Sequence, residues 1–78
     1  MTTVQKRSIR ISGHATSISL EDAFWDALGE IAVRRDISIA ALVAEVDARR
    51  IETATTANLS SALRVFVLKC AQAGDAEP

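Results

Sequence analysis

A change of side-chain spacing between Thr16 and Ala32 limits the folds that are open to this chain. Residues Thr16 to Leu20 alternate polar and apolar side chains, which is the pattern of a half-buried β-strand. From Phe24 onward the apolar side chains recur at helical spacing instead. A single short strand cannot satisfy its backbone hydrogen bonds, so this strand needs a partner, and a second copy of the chain is the nearest source. The sequence therefore predicts an assembly together with a fold.

Length and composition also favour self-association. The chain has 78 residues, 49% of them apolar, and this is more apolar side chain than the core of one small domain readily hides. We therefore expect a homodimer, with higher assembly left open. No apolar run approaches the roughly 18 residues of a membrane span, so no membrane association is expected. A single cysteine, Cys70, excludes an intrachain disulfide and favours a cytoplasmic location.

Charge is unevenly distributed along the chain. Residues 1–20 contain Lys6, Arg7 and Arg10 and no acid, which gives +3. Residues 21–78 contain six basic and ten acidic residues, which gives −4, and the two values sum to the net charge of −1. A basic segment on an acidic body concentrates the attraction for anions at one end. The alternative is that these cations simply keep an N-terminal tail solvated.

A second alternating segment, residues 6–11, precedes the first and carries two isoleucines on one face. Residues 12–15 have the composition of a turn. Two interpretations follow: the segment pairs with the strand at 16–20 as a hairpin, or it forms an extended arm. Residues 1–5 are predicted to be a disordered N-terminus.

Three helices follow, and their limits are indicated by apolar periodicity and by capping residues. Ser38 and Asn58 are of the residue types that cap helix N-termini. The predicted helices span residues 22–35, 39 to about 51, and 59 to about 73. A hydroxyl-rich loop at 53–57 separates the last two, and 74–78 is a polar tail. The predicted fold class is mainly α with a short N-terminal β-ribbon, in one domain over residues 6–73.

The sequence offers little support for catalysis. His14 is the only histidine, and no Cys/His cluster has the spacing of a metal site. Cys70 falls on the apolar stripe of the third helix, which favours a core thiol. The adjacent acids Glu21 and Asp22 suit the positive end of a helix dipole, and the three glycines form no phosphate-binding loop. We expect no enzyme activity, no cofactor and no metal.

Two motifs carry a family resemblance. The strand Ser17-Ile18-Ser19-Leu20, the acidic helix start and the turn Asp36-Ile37-Ser38 resemble the ribbon-helix-helix family of DNA-binding proteins, the group of the Arc repressor. The resemblance covers residues 16 to about 49. With the flanking segments 6–11 and 58–68, the chain is similar to a bacterial subfamily that carries an extra C-terminal helix. It implies a β-α-α-α chain that exchanges strands with a second copy to form an intertwined homodimer.

The resemblance also implies a function, that of a DNA-binding transcriptional regulator. In this family the outward side chains of the ribbon enter the major groove, and the first turn of the second helix holds a phosphate. Cations preceding the strand would lie alongside the ribbon or line the phosphates. The residues expected to bind double-stranded DNA are Ser17, Ser19 and Ser38 by this resemblance, together with Lys6, Arg7 and Arg10 of the basic segment.

The third helix supports an alternative function. Leu59, Leu63, Phe66, Val67 and Cys70 follow one another at helical spacing and form a complete apolar stripe. This helix could dock a protein partner, as in antitoxin relatives of the family. The chain would then be a protein-interaction module, antitoxin-like or a scaffold dimer, with little or no DNA binding.

Overall fold

A computed structural model describes residues 4–11, 13–52 and 58–73 of the chain. A two-stranded antiparallel hairpin is followed by three helices, in agreement with the predicted β-α-α-α fold. The elements are β1 (Val4–Ile11), β2 (His14–Glu21), α1 (Asp22–Arg35), α2 (Ile39–Glu52) and α3 (Leu59–Gln72).

The partner strand of β2 is β1 of the same chain. The two strands pair in antiparallel register from Val4 opposite Glu21 to Ile11 opposite His14. This pairing confirms the hairpin and excludes the extended arm. It also corrects the expectation that a second copy is the nearest source of a partner for β2, because the backbone groups on one edge of β2 are satisfied within the chain.

The turn and the start of the hairpin differ from the predicted limits. Gly13 has a φ of +84°, a conformation that glycine adopts without steric cost. His14 and Ala15, which were predicted to lie in the turn, are the first two residues of β2. β1 begins at Val4, so Val4 and Gln5 belong to the strand and not to a disordered N-terminus. Residues 1–3 lie outside the described part of the chain.

The helices begin and end close to their predicted limits. After α1, Asp36 takes the left-handed conformation with a φ of 59°, which short polar side chains tolerate. Ser38 Oγ accepts the N–H of Ala41 at 3.0 Å, and Asn58 Oδ1 accepts the N–H of Ser61 at 2.8 Å, so both predicted caps are confirmed. The predicted loop at 53–57 and tail at 74–78 lie outside the described residues.

All three helices and the inner face of the hairpin share one core. The fully buried side chains are Ile18, Leu20, Leu28, Leu42, Val43 and Leu63. Leu63 belongs to α3, and Phe66, Val67 and Cys70 of the same helix are half-buried against this core. The helix beyond the two-helix motif is therefore an integral part of the domain. Among the described residues, no helix is long and apolar enough to cross a membrane.

Candidate nucleic-acid interface

The outward face of the hairpin, called the ribbon face below, contains the pair Val4 with Glu21 at its open end and three further cross-strand pairs. Residues that are paired across a ladder point to the same side of the sheet. The three further pairs are Lys6 with Ser19, Ser8 with Ser17 and Arg10 with Ala15. All six residues are exposed. The structure thus brings together Lys6, Arg10, Ser17 and Ser19, four of the six residues predicted to bind DNA.

Ser8 joins these four residues although the prediction omitted it. It is exposed and lies opposite Ser17 at the middle of the ribbon face. The alternation within residues 6–11 already placed Ser8 between Lys6 and Arg10 on one side of the strand. Ser8 could therefore have been identified from strand periodicity, although not from charge.

The ribbon face carries positive charge. Lys6 and Arg10 are its two cations, and Arg10 Nη1 lies 3.4 Å from the carbonyl oxygen of Gly13 at the turn. Glu21 lies at the far end of the same face, opposite Val4. The Glu21 carboxylate accepts a hydrogen bond from Arg64 Nε at 2.9 Å, which compensates its charge. That bond, helped by the backbone N–H of Glu21 itself, lowers the pKa of the carboxyl group below its ordinary value.

Arg7 lies on the opposite side of the hairpin. It pairs with the buried Ile18 and therefore faces the helices. Its guanidinium carbon lies 5.3 Å from the centroid of the Trp25 ring, and its Nη2 lies 3.8 Å from Asp22 Oδ1. Half of the side chain remains exposed. These contacts join β1 to α1 and separate Arg7 from the other predicted DNA-binding residues.

Ser38 also lies apart from the ribbon face. It is exposed at the N-terminus of α2, and its hydroxyl oxygen is occupied by the Ala41 N–H. Within residues 4–11, 13–52 and 58–73, no hydrogen bond or ion pair joins Ser38 to the hairpin. Asp36, two residues earlier and exposed, places a carboxylate at the same turn. That negative charge opposes the binding of an anion there.

The first turns of α3 contact the end of the ribbon. Ser60 Oγ donates a hydrogen bond to the carbonyl oxygen of Ser19 at 2.8 Å. Arg64, one turn later, makes the bond to Glu21. Sequence reasoning missed both contacts, because a serine and an arginine on a helix carry no local sign of a partner about forty residues away.

In the part of the chain that the structure describes, no three His, Cys, Asp or Glu residues lie close enough together to hold a metal ion. The arrangement instead offers two cations and several hydroxyl groups on one exposed strand face. Hydroxyl groups can donate to or accept from base edges, and cations attract phosphates.

A model of the ribbon-helix-helix domain matches residues 4–71, which is most of the chain. The chain belongs to the ribbon-helix-helix family. This family generally includes DNA-binding regulators and antitoxins. Among solved structures, the chain is similar to an uncharacterized protein from Bordetella pertussis Tohama I, with a TM-score of 0.76 and 39% sequence identity. The match covers 97% of this chain and 63% of that one, so this ribbon-helix-helix chain spans less than two thirds of its relative. No curated protein matches the chain.

Proposed function

We propose that this ribbon-helix-helix protein is a homodimeric transcriptional regulator that binds double-stranded DNA with its ribbon face. The observation that supports this function is the grouping of Lys6, Arg10, Ser17 and Ser19 on one exposed side of a hairpin. The charge of Glu21, the acid at the end of this face, is compensated by Arg64. The face therefore attracts phosphates although the whole chain has a net charge of −1.

The second copy pairs through β2 because the open edge of β1 is poorly suited to self-pairing. With two β1 strands side by side and the two-fold axis at Ser8, in the middle of the strand, Lys6 of one copy would lie opposite Arg10 of the other. Like charges opposite one another destabilise a sheet. On the ribbon face, β2 carries only small uncharged side chains between Ala15 and Ser19. The dimer then has a four-stranded sheet with the two β2 strands in the middle.

The two central strands of this sheet fit the major groove, whereas the whole sheet is wider than the groove. Strands lie about 4.8 Å apart, so the two outer β1 strands are separated by roughly 14 Å. The groove is about 12 Å wide and admits two strands. The central β2 strands would enter it, with Ser17 and Ser19 toward the base edges, while Lys6 and Arg10 on the outer strands would lie near the phosphates. Because serine hydroxyls can pair with several bases, affinity would depend more on salt than on sequence.

The N-terminus of α2 supplies a weaker phosphate contact in this proposal. Ser38 caps the helix through its oxygen, so the hydroxyl hydrogen and the remaining N–H groups of the first turn can face an anion. Asp36 reduces this attraction. We expect the Ser38 contribution to be smaller than that of Arg10.

A salt titration tests the ribbon face. Binding to a mixed-sequence DNA duplex would be measured against salt concentration for the wild type and for Arg10→Gln. Each lost phosphate contact lowers the slope of log affinity against log salt by about 1, so a dimer loses about 2. Lys6→Gln should lower the slope by the same amount. Arg7→Gln is the matched control, because it removes the same charge from the opposite side of β1.

Two outcomes would contradict this assignment. If Lys6→Gln and Arg10→Gln both keep the wild-type slope, the ribbon face does not contact DNA. If Arg7→Gln lowers the slope as much as Arg10→Gln, the strand presents its other side to the phosphates. Circular dichroism of each variant separates lost contacts from lost folding.

One observation favours a second candidate function, a protein-interaction module. Val65 and Leu68 on α3 are 50% and 54% exposed. Leu63 cannot serve as a docking residue because it is fully buried in the core. If this candidate holds, a protein that co-purifies with the wild type should be lost from Leu68→Asp, while DNA binding is unchanged. If no protein co-purifies with the wild type, the candidate is excluded.

A further inference from the structure

The open edge of β2 has a definite set of hydrogen-bonding groups. In a hairpin with a two-residue turn, the closing pair is hydrogen-bonded, and hydrogen-bonded pairs then recur at every second position. Here Ile11 and His14 close the turn. The backbone groups that point away from β1 are therefore those of Ala15, Ser17, Ser19 and Glu21. The bond from Ser60 Oγ to the carbonyl oxygen of Ser19 agrees with this direction.

The last part of this edge is closed by α3. Glu21 is the N-cap of α1, and its side chain is tied to Arg64. The Ser60 hydroxyl takes one of the two lone pairs on the Ser19 carbonyl oxygen. Ser19 thus keeps its N–H and one lone pair for a strand from a second copy. Glu21 pairs with Val4 inside the hairpin but is excluded from pairing with that second copy.

This closure distinguishes two symmetric registers for a pair of β2 strands. With the two-fold axis at Ile18, Ser17 pairs with Ser19 of the second copy, and Ala15 would need Glu21 as its partner. With the axis at Ser17, the two Ser17 residues face each other and Ala15 pairs with Ser19. When Glu21 is excluded, only the second register satisfies the outward groups of Ala15, Ser17 and Ser19 together.

We infer that α3 sets the register of the dimer, with the two-fold axis at Ser17 and the ladder ending at Ser19. This inference rests on the proposed dimeric ribbon. It gives α3 a role beyond the shared core, because its first two turns define which part of the β2 edge a second copy can use. It also places Ser17 of both copies at the centre of the DNA-facing surface.

Disulfide trapping tests the register, with Cys70→Ser as the background that removes the native thiol. Opposed residues in a hydrogen-bonded antiparallel pair have Cα atoms about 5.5 Å apart, which a disulfide can bridge. Ser17→Cys should therefore form a covalent dimer under mild oxidation. Ser19→Cys should not, because the two Ser19 residues would be offset by roughly 13 Å along the strands. The background variant alone should give no cross-link.

Two variants test the role of α3 itself. Ser60→Ala and Arg64→Gln, each added to the Ser17→Cys variant, weaken the closure of the β2 edge. The rate of cross-linking should fall several-fold because other registers become accessible. An unchanged rate in both variants, with helix content preserved in circular dichroism, overturns the role of α3.

A wrong register and an absent dimer give different experimental results. If Ser17→Cys fails to cross-link while its mixture with Ser19→Cys succeeds, the axis lies at Ile18 and the register is wrong, although the dimer stands. If light scattering shows a dimer and none of these samples cross-links, β2 is not the paired edge. If light scattering shows a monomer, the dimeric ribbon and the register both fail.

Discussion

The guanidinium carbon of Arg7 lies 5.3 Å from the centroid of the Trp25 ring. This cation–π contact joins the inner side of β1 to α1. Because successive side chains on a strand point to opposite sides, it also holds Lys6 and Ser8 on the outward side. Trp25 is buried, and its Nε1 has no hydrogen-bond partner among the described residues. The indole is therefore held by packing and by the cation above it.

Loss of Arg7 should be visible in the fluorescence of Trp25, the only tryptophan of the chain. In Arg7→Gln we expect a red shift of the emission maximum, because water reaches the ring face that the guanidinium covers. Stability should fall by about 0.5–1 kcal/mol in urea unfolding, the usual size of a partly exposed cation–π contact. The 3.8 Å ion pair with Asp22 adds little, since both side chains are half exposed.

Arg10→Gln is the control for this experiment. It removes the same charge from the same strand but on the ribbon face, so Trp25 emission should keep its wild-type maximum. A red shift of equal size in both variants would mean that general loosening of the hairpin, not loss of the Arg7 contact, exposes the ring.

The contribution of α3 to stability can be tested with two leucines of that helix. Leu63 is fully buried, whereas Leu68 is 54% exposed. Leu63→Ala should destabilise the fold by about 2–5 kcal/mol, because it removes buried methyl groups and leaves a cavity. Leu68→Ala makes the same chemical change at the surface and should cost less than about 0.5 kcal/mol. Urea unfolding followed by circular dichroism measures both values.

Equal effects of the two leucine substitutions would contradict the placement of α3. A small cost at both positions would mean that the helix is not packed on the core in solution. A large cost at Leu68 would mean that this side chain is covered, for instance by a second copy, and that result would support an interface on α3.

The bond between Glu21 and Arg64 predicts a dependence of stability on pH. The pKa of Glu21 is lowered in the folded chain, chiefly by the hydrogen bond from Arg64. Its stabilising contribution is therefore complete above the ordinary pKa of glutamate, about 4.3, and is lost as the pH falls through the lowered folded value. Glu21→Gln should melt at a lower temperature than the wild type at pH 7, and the difference should shrink as the solution is acidified below about pH 4.

Arg64→Gln provides the matched control for this pH dependence. Without the guanidinium, the pKa of Glu21 should return toward its ordinary value. Adding Glu21→Gln to that variant should then lower the melting temperature at pH 7 by less than it does in the wild type, because only the backbone N–H of Glu21 still stabilises the carboxylate. A difference as large as in the wild type would mean that Arg64 is not the main partner of the carboxylate.

Local periodicity predicted the secondary structure well, and it also contained the answer about Arg7. The alternation of residues 6–11 places Arg7 on the side of Ile9, away from Lys6 and Arg10. The prediction grouped the three cations by charge, and the pairing of Arg7 with Ile18 shows that strand position decides which of them face outward. Charge alone indicated a basic segment, whereas the strand register was needed to separate the inward-facing Arg7 from the outward-facing Lys6 and Arg10.

Contacts distant in sequence were beyond the reach of such reasoning. Ser60 lies in the first turn of a helix, where a serine usually faces solvent or caps the backbone. Its partner, the Ser19 carbonyl oxygen, is 41 residues away, and the bond exists only because the shared core brings α3 to the end of β2. Side-chain type therefore cannot reveal it.

Two glycines should respond in opposite directions to the same added methyl group. Gly13 has a φ of +84°, a region that costs an L-residue about 1–2 kcal/mol. Gly29 lies inside α1, and a Cβ built there meets no atom within 4 Å. Gly13→Ala should therefore destabilise the fold by about 1 kcal/mol, and Gly29→Ala should stabilise it by about 0.5–1 kcal/mol.

The two alanine variants can be compared directly by urea unfolding, provided that the slope of free energy against denaturant stays constant between them. Gly13→Asn adds a second test of the turn, because asparagine tolerates positive φ better than alanine does. It should retain more stability than Gly13→Ala despite its larger side chain, since a Cβ at this position also meets no atom within 4 Å. If Gly13→Ala proves as stable as the wild type, the turn does not require the left-handed conformation. The hairpin register, which depends on a two-residue connection, would then be wrong.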